Sequence, residues 1–189
     1  MLQLFGILSG ILAVLAPIPY IRDIFLLKTK PQRTAFFIWS VLGAIAFFSQ
    51  LAKGASSSLW LPGVETFVVT VIFILSIKYG VGGFSKKDYI ALTIAALGLI
   101  AWYFTKEAAI ALYIVIIIDL TGTYLAVDKA YQDPGSETLI TWITAAIAGM
   151  LATFAVGNLN IVLLSYPFYV FLANAAVVVA ILMGRRKTN

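Results

Sequence analysis

The chain has 189 residues, of which 62% are hydrophobic and only 11% are charged, with a mean hydropathy of +1.02. A soluble domain carries about a quarter charged residues, so this composition excludes a soluble fold and predicts an integral membrane protein. The absence of cysteine and histidine excludes disulfides, thiol or imidazole catalysis and the usual zinc sites. Since no carboxylates cluster at metal-binding spacing either, we expect neither an enzyme nor a cofactor.

Seven continuously apolar runs follow one another along the chain, each close to the length that a helix needs to cross a bilayer. They cover residues 2–24, 34–53, 59–78, 88–104, 108–127, 137–156 and 160–183. Because the runs lack the in–out alternation of a membrane barrel, the predicted fold class is an all-α membrane protein with seven transmembrane helices. No positive segment precedes the first run, which is therefore expected to span the membrane and not to be a cleaved signal.

The net charge of +5 comes from short loops between these runs, so it indicates topology and no nucleic-acid partner is expected. Eleven of the thirteen basic residues lie in three alternate loops and the C-terminal tail: Arg22, Lys28, Lys30, Arg33, Lys78, Lys86, Lys87, Lys129, Arg185, Arg186 and Lys187. Only Lys53 and Lys106 lie on the other side. Positive loops stay in the cytoplasm, which predicts an outer N-terminus and an inner C-terminus in a bacterial or archaeal plasma membrane.

Two stretches of the chain resemble each other at an offset of 103 residues. The residues shared by the two stretches are Pro31, Trp39, Ala52 and Gly54, which recur as Pro134, Trp142, Ala155 and Gly157. A lone fourth helix between two sets of three restores the orientation of the second copy, so the two units are parallel. The predicted domains are a first three-helix repeat (1–80), a loop and linker helix (81–106), and a second repeat with a basic tail (107–189), giving a 3+1+3 architecture.

The first repeat offers a candidate hinge and an aromatic candidate. Pro17 and Pro19 lie near the inner end of the first helix, where they free backbone carbonyls and bend the helix. They are predicted to form the hinge of an inner gate, with a static bend as the alternative. Trp39 and its repeat partner Trp142 either form the walls of a substrate site or anchor their helices at the membrane interface.

Three polar residues lie within the apolar runs of the second repeat. Asp119 lies midway along the fifth run, where a carboxylate costs about 2.5–3.5 kcal/mol on insertion scales. It should face the interior as a proton carrier or substrate ligand, or as a structural hydrogen-bonding partner. Thr123, one turn further on the same face, either binds substrate or bonds back to its own helix. Asn174 in the seventh run is either a substrate ligand or an interhelical clamp.

The two inner loops of the repeats differ in charge. The loop between the first and second helices is basic, whereas the loop between the fifth and sixth is acidic. We predict an electrostatic latch between these loops, with Arg33 and Glu137 as a pair, that favours an outward-open state. Exposed pairs contribute only ~0–1 kcal/mol each, so such a latch needs several of them.

The 3+1+3 plan with an outer N-terminus resembles the SWEET and PQ-loop transporter superfamily over nearly the whole chain. Locally, Pro19-Tyr20 followed by Lys28-Thr29-Lys30 is similar to the PQ-loop pattern. The dipeptide Pro31-Gln32 falls in the loop, outside that pattern. The second repeat departs from it, because Gly122 stands at the position equivalent to Pro19. The segment Asp133–Thr138 is also similar to the second loop of some bacterial integral membrane proteins.

The resemblance implies a transporter or facilitator that moves a sugar or similar small polar solute by alternating access between two three-helix bundles. Proton coupling through Asp119 stays open. In SWEET-like proteins an asparagine on the seventh helix lines the sugar site, which favours a substrate role for Asn174. The alternatives are a cation channel with two three-helix repeats and a non-transporting receptor. The expected partners are a small-molecule solute and the lipid bilayer, with a homo-oligomer left open.

Overall fold

The computed structural model describes residues 2–52, 60–105, 108–157, 159 and 161–188. These residues form eight α-helices and no β-strand, which confirms the all-helical class. The helices are α1 (Leu2–Leu15), α2 (Pro17–Phe25), α3 (Arg33–Ala52), α4 (Trp60–Tyr79), α5 (Lys86–Phe104), α6 (Ala108–Gln132), α7 (Leu139–Ala155) and α8 (Ile161–Thr188). A short 3-10 turn, Pro134–Ser136, lies between α6 and α7.

Three helical segments in the described part of the chain are long and apolar enough to cross a membrane: Leu2–Phe25, Lys86–Phe104 and Leu164–Lys187. Two shorter apolar helices are Arg33–Ile45 and Leu139–Ala155. Large aliphatic side chains stay exposed along the spanning segments, as Ile7 and Ile100 show at 61% and 56% of their surface. Such extended apolar surfaces are compatible with contact with lipid.

The first predicted helix is interrupted once, at Ala16. The Ala16 backbone nitrogen still donates to the Leu12 carbonyl at 2.8 Å. Pro17 has no N–H and begins α2, at a helix position where that loss is tolerated. The two prolines therefore divide this segment into α1 and α2 near its predicted inner end.

The helices that belong to different predicted repeats contact one another in a reciprocal way. Within the second repeat, α8 packs against both α6 and α7, and within the first, α3 packs against α4. Between the repeats, α1 packs against α7, and α3 packs against α6. The first helix of each predicted repeat (α1 or α6) thus contacts the second helix of the other (α7 or α3). The linker helix α5 packs mainly against α6.

Gly149 lets α7 approach α8 closely, because a Cβ atom built there would lie 2.6 Å from the backbone nitrogen of Phe171. We expect Gly149→Ala to force the helices apart and to destabilise the fold by about 1–3 kcal/mol. The measurement is the unfolding temperature in detergent. Gly10→Ala on α1 is the matched control, since nothing lies within 4 Å of its built Cβ and alanine favours helix. Equal losses in the two variants would contradict the close-packing role.

Candidate functional site

A cavity of about 500 Å³ lies between α3, α4, α6, α7 and α8, with walls from both predicted repeats. All five residues that the sequence suggested for substrate binding line this one cavity: Trp39, Asp119, Thr123, Trp142 and Asn174. Its remaining polar walls come from Glu65, Thr66, Tyr166 and Tyr169. The cavity therefore combines carboxylate, amide and hydroxyl groups with aromatic rings.

Asp119 is held by hydroxyl groups from two helices. The Tyr169 hydroxyl on α8 donates a hydrogen bond to the carboxylate, and Thr123 Oγ1 lies 3.4 Å from the same oxygen. The Thr123 and Tyr169 hydroxyl oxygens are themselves 3.0 Å apart. By contrast, Thr121 Oγ1 donates back to the Ile118 carbonyl at 2.6 Å. Thr123 thus takes part in a three-membered polar group that joins α6 to α8.

The two repeated tryptophans lie side by side in the interior, with ring centroids 6.4 Å apart. The Trp142 indole nitrogen donates to Glu137 Oε2 at 2.8 Å, and only 7% of Trp142 is exposed. Trp39 lies against Gly122, where a built Cβ would come within 2.9 Å of the Trp39 indole nitrogen. The departure from the proline pattern at Gly122 therefore leaves room for the Trp39 ring.

Asn174 lines the cavity, but its amide nitrogen donates to the Val170 carbonyl of its own helix at 2.8 Å. Among the described contacts, this amide nitrogen makes no hydrogen bond to another helix. An asparagine bonded back along the helix can still present its carbonyl oxygen to a ligand. This placement is compatible with a ligand role and gives no support to an interhelical clamp.

Sequence reasoning did not select Glu65 or the two α8 tyrosines as site residues. The structure places Glu65, Tyr166 and Tyr169 in the lining of the cavity. The signal that could have found them is helical spacing, because Tyr166, Tyr169 and Ala173 repeat on the face that carries Asn174. The same helix contains Pro167 in its interior, which removes a backbone donor next to the cavity.

The two predicted inner loops meet through hydroxyl groups, backbone groups and the Asp23 carboxylate. Thr29 Oγ1 lies 2.5 Å from Thr138 Oγ1, and Thr138 Oγ1 donates to Asp23 Oδ2 at 2.9 Å. The Lys30 backbone nitrogen donates to the Ser136 carbonyl at 3.0 Å. We call these five residues the inner closure. Thr29 and Thr138 are 1% and 5% exposed, so these two side chains are shielded from water.

Arg33 and Glu137 do not pair in this conformation, contrary to the predicted latch. The Arg33 guanidinium donates to four backbone carbonyls at and just beyond the end of α4: Ser76, Ile77, Gly80 and Gly82. The negative end of a helix dipole favours a cation there. Glu137 instead pairs with Lys129 at 2.8 Å, because the 3-10 turn brings it back towards α6.

Gln32, which lies outside the PQ-loop pattern, is a buried bridge between the first repeat and the linker helix α5. Its side-chain nitrogen donates to Asp88 Oδ1 at 2.7 Å, and its side-chain oxygen accepts from the Ala35 backbone at 2.7 Å. The other oxygen of Asp88 accepts from the Ser85 backbone nitrogen in a capping box. Gln32 therefore has an evident structural role.

No protein-family model matches the chain, and no curated protein and no solved structure matches it. Among the described residues, no group of three or more histidine, cysteine, aspartate or glutamate side chains could hold a metal ion. We therefore infer function from the cavity and from the inner closure.

Proposed function

We propose that the chain is an integral membrane transporter or facilitator that moves a small polar solute across the bilayer by alternating access. The observation that carries this proposal is the cavity, which gathers Asp119, Thr123, Asn174 and two tryptophans between helices of both predicted repeats. Polar groups in membrane-spanning helices characteristically face such a site. Transporters built from internal repeats place their substrate sites at the repeat interface.

The reciprocal packing of α1 on α7 and α3 on α6 supports the proposed 3+1+3 architecture. Two copies related by a pseudo-twofold axis are expected to exchange equivalent contacts in this way. In this proposal α1–α4 form the first bundle, α5 is the linker and α6–α8 form the second bundle. The positive-inside rule sets the N-terminus outside, and the arrangement supports kinship with the SWEET and PQ-loop superfamily.

The inner closure is weak enough to open during a transport cycle. It consists of a few hydrogen bonds between Asp23, Thr29, Lys30, Ser136 and Thr138. A typical hydrogen bond contributes about 0.5–1.5 kcal/mol net, so the closure amounts to a few kcal/mol. A ligand that binds one conformation more tightly can offset a difference of this size. The helix is interrupted before Pro17, and α2, which carries Asp23, can pivot at this point.

The test is uptake by the full chain in proteoliposomes, with a panel of labelled solutes and with or without a pH gradient. The proposal expects uptake that saturates with solute concentration. Planar bilayer recordings distinguish a carrier from the channel alternative, because steady single-channel currents would contradict alternating access. Binding of a solute without any uptake would indicate a receptor and contradict transport.

Asp119→Asn is expected to remove the response of uptake to a pH gradient. Asparagine keeps the size and can still accept from Tyr169, but it cannot exchange a proton. The titratable groups facing Asp119 from the adjoining helix are Tyr169 and Tyr166, with Glu65 also on the cavity wall. The measurement compares uptake rates with and without the gradient.

The matched control for this variant is Asp128→Asn. Asp128 lies on the same helix but pairs with exposed Lys87 away from the cavity, so the pH response should be unchanged. An Asp119→Asn chain that kept the full gradient response would refute proton coupling through this carboxylate.

A further inference from the structure

The cavity is lined by two acidic side chains and, among the described residues, by no basic one. Asp119 and Glu65 both line it, whereas its described lining contains no lysine or arginine. Buried or half-buried charges need an opposite charge or strong hydrogen bonds, and here only hydroxyl groups hold Asp119.

Four aromatic rings line the same cavity: Trp39, Trp142, Tyr166 and Tyr169. The two tyrosine rings are 6.4 Å apart, as are the two tryptophan rings. The face of an aromatic ring attracts a cation, and tryptophan does so most strongly. No basic side chain lines the described part of the cavity. The aromatic faces are therefore not covered by a lysine or arginine from this lining.

Building on the proposed transport function, we propose that this cavity binds an organic cation: an amine or quaternary ammonium group on a compact apolar or aromatic body, without a carboxylate. The charged nitrogen lies against Asp119, and the body lies between the aromatic walls.

The lining also indicates what the site disfavours. A zwitterionic amino acid would bring a second carboxylate towards Asp119 and Glu65 with no base to receive it. A neutral solute would leave the negative charge of the cavity unmatched. The charge of the site thus discriminates among ligands that share the same body.

Three probes with one aromatic body test this discrimination: phenylethylamine, phenylethanol and phenylalanine. Binding to the full chain in detergent is followed by tryptophan fluorescence, since Trp39 and Trp142 line the cavity. A charge-assisted hydrogen bond is stronger than a neutral one, so the amine should bind at least about tenfold more tightly than either other probe. Equal affinities of the amine and the alcohol would overturn the inference.

Asp119→Asn should weaken amine binding by about tenfold or more and leave alcohol binding unchanged. Asp128→Asn, outside the cavity, should bind the amine as the parent chain does. If Asp119→Asn does not fold, Glu65→Gln provides the second variant, with a loss of amine affinity of about threefold or more. Unchanged amine affinity in a folded Asp119→Asn chain would overturn the inference.

Uptake separates this inference from the transport proposal. Benzyltrimethylammonium carries a permanent charge and crosses a bare bilayer poorly, so its labelled form is the probe for proteoliposomes. Preferential amine binding without uptake would uphold the cation site and refute transport. Saturable uptake of a sugar, with no preference for the amine, would refute the cation site and leave transport standing.

Discussion

A chain that carries Thr29→Cys together with Thr138→Cys is expected to lose uptake completely when oxidised and to regain it when reduced. The two hydroxyl oxygens lie 2.5 Å apart in the inner closure, and disulfides join residues whose Cβ atoms are about 3.5–4.5 Å apart. The natural chain has no cysteine, so no other disulfide can form within it. A covalent bond at this point prevents the two loops from separating, which alternating access requires.

Two kinds of control accompany the double variant. Each single cysteine variant should keep its uptake under oxidation. The parent chain, which has no cysteine, should also keep its uptake when treated with the same oxidant. Gel mobility reports whether the disulfide forms in the double variant. Continued uptake by a chain shown to be cross-linked at Thr29 and Thr138 would exclude opening at the inner closure.

The helices themselves were largely predictable, because a continuous apolar run in lipid adopts the α-helix as its regular structure. Backbone polar groups must be satisfied within the segment, so each run became helical, although α6 and α8 continue five residues past their predicted ends, to Gln132 and Thr188. The interruption at Ala16 follows from Pro17, whose missing N–H is a local property of the sequence. Membrane spanning is supported by length and hydropathy for three segments and stays a proposal for the others.

The cavity was only partly predictable because a sequence shows which residues are unusual and not which way they face. Asp119 and Asn174 stood out as polar residues in apolar runs, and the tryptophans stood out because they recur. Tyr166 and Tyr169 did not, since tyrosines near the ends of spanning helices commonly mark the interface. Their position in the cavity depends on α8 packing against both α6 and α7, which is a tertiary property.

The partners of the inner loops were predicted less well, because the sign of a loop's charge does not determine which atoms meet. The Arg33 guanidinium donates to carbonyl oxygens at the end of α4. Such oxygens compete with carboxylates for a guanidinium. Glu137 forms an ion pair with Lys129, which is only eight residues away in the sequence. The turn that brings them together is not indicated by the charge pattern. The junction itself formed from the Thr29 and Thr138 hydroxyl groups, which carry no charge, together with the Asp23 carboxylate.

Lys129→Met is expected to destabilise the fold by roughly 3–5 kcal/mol, since removing one partner of a buried ion pair leaves the other charge buried and unpaired. Lys129 is 8% exposed and the Glu137 side chain 1%, with 2.8 Å between Nζ and Oε1. Glu137→Gln leaves the Lys129 charge buried and unpaired in the same way. The double variant removes both charges and lets glutamine accept from Trp142, so it should be more stable than either single variant. Unfolding in mixed detergent micelles of increasing dodecyl sulfate content measures all three.

The pair of Lys87 and Asp128 shows why burial, and not distance, sets this expectation. Its atoms are 2.7 Å apart, as close as those of the inner pair, but its side chains are 45% and 27% exposed. Water screens such a pair, so Lys87→Met should change stability far less than Lys129→Met does. Equal losses in the Lys87 and Lys129 variants would mean that desolvation does not govern the inner pair. A large difference would instead indicate that burial makes Glu137, which also holds Trp142 on the cavity wall, depend on Lys129 as its partner.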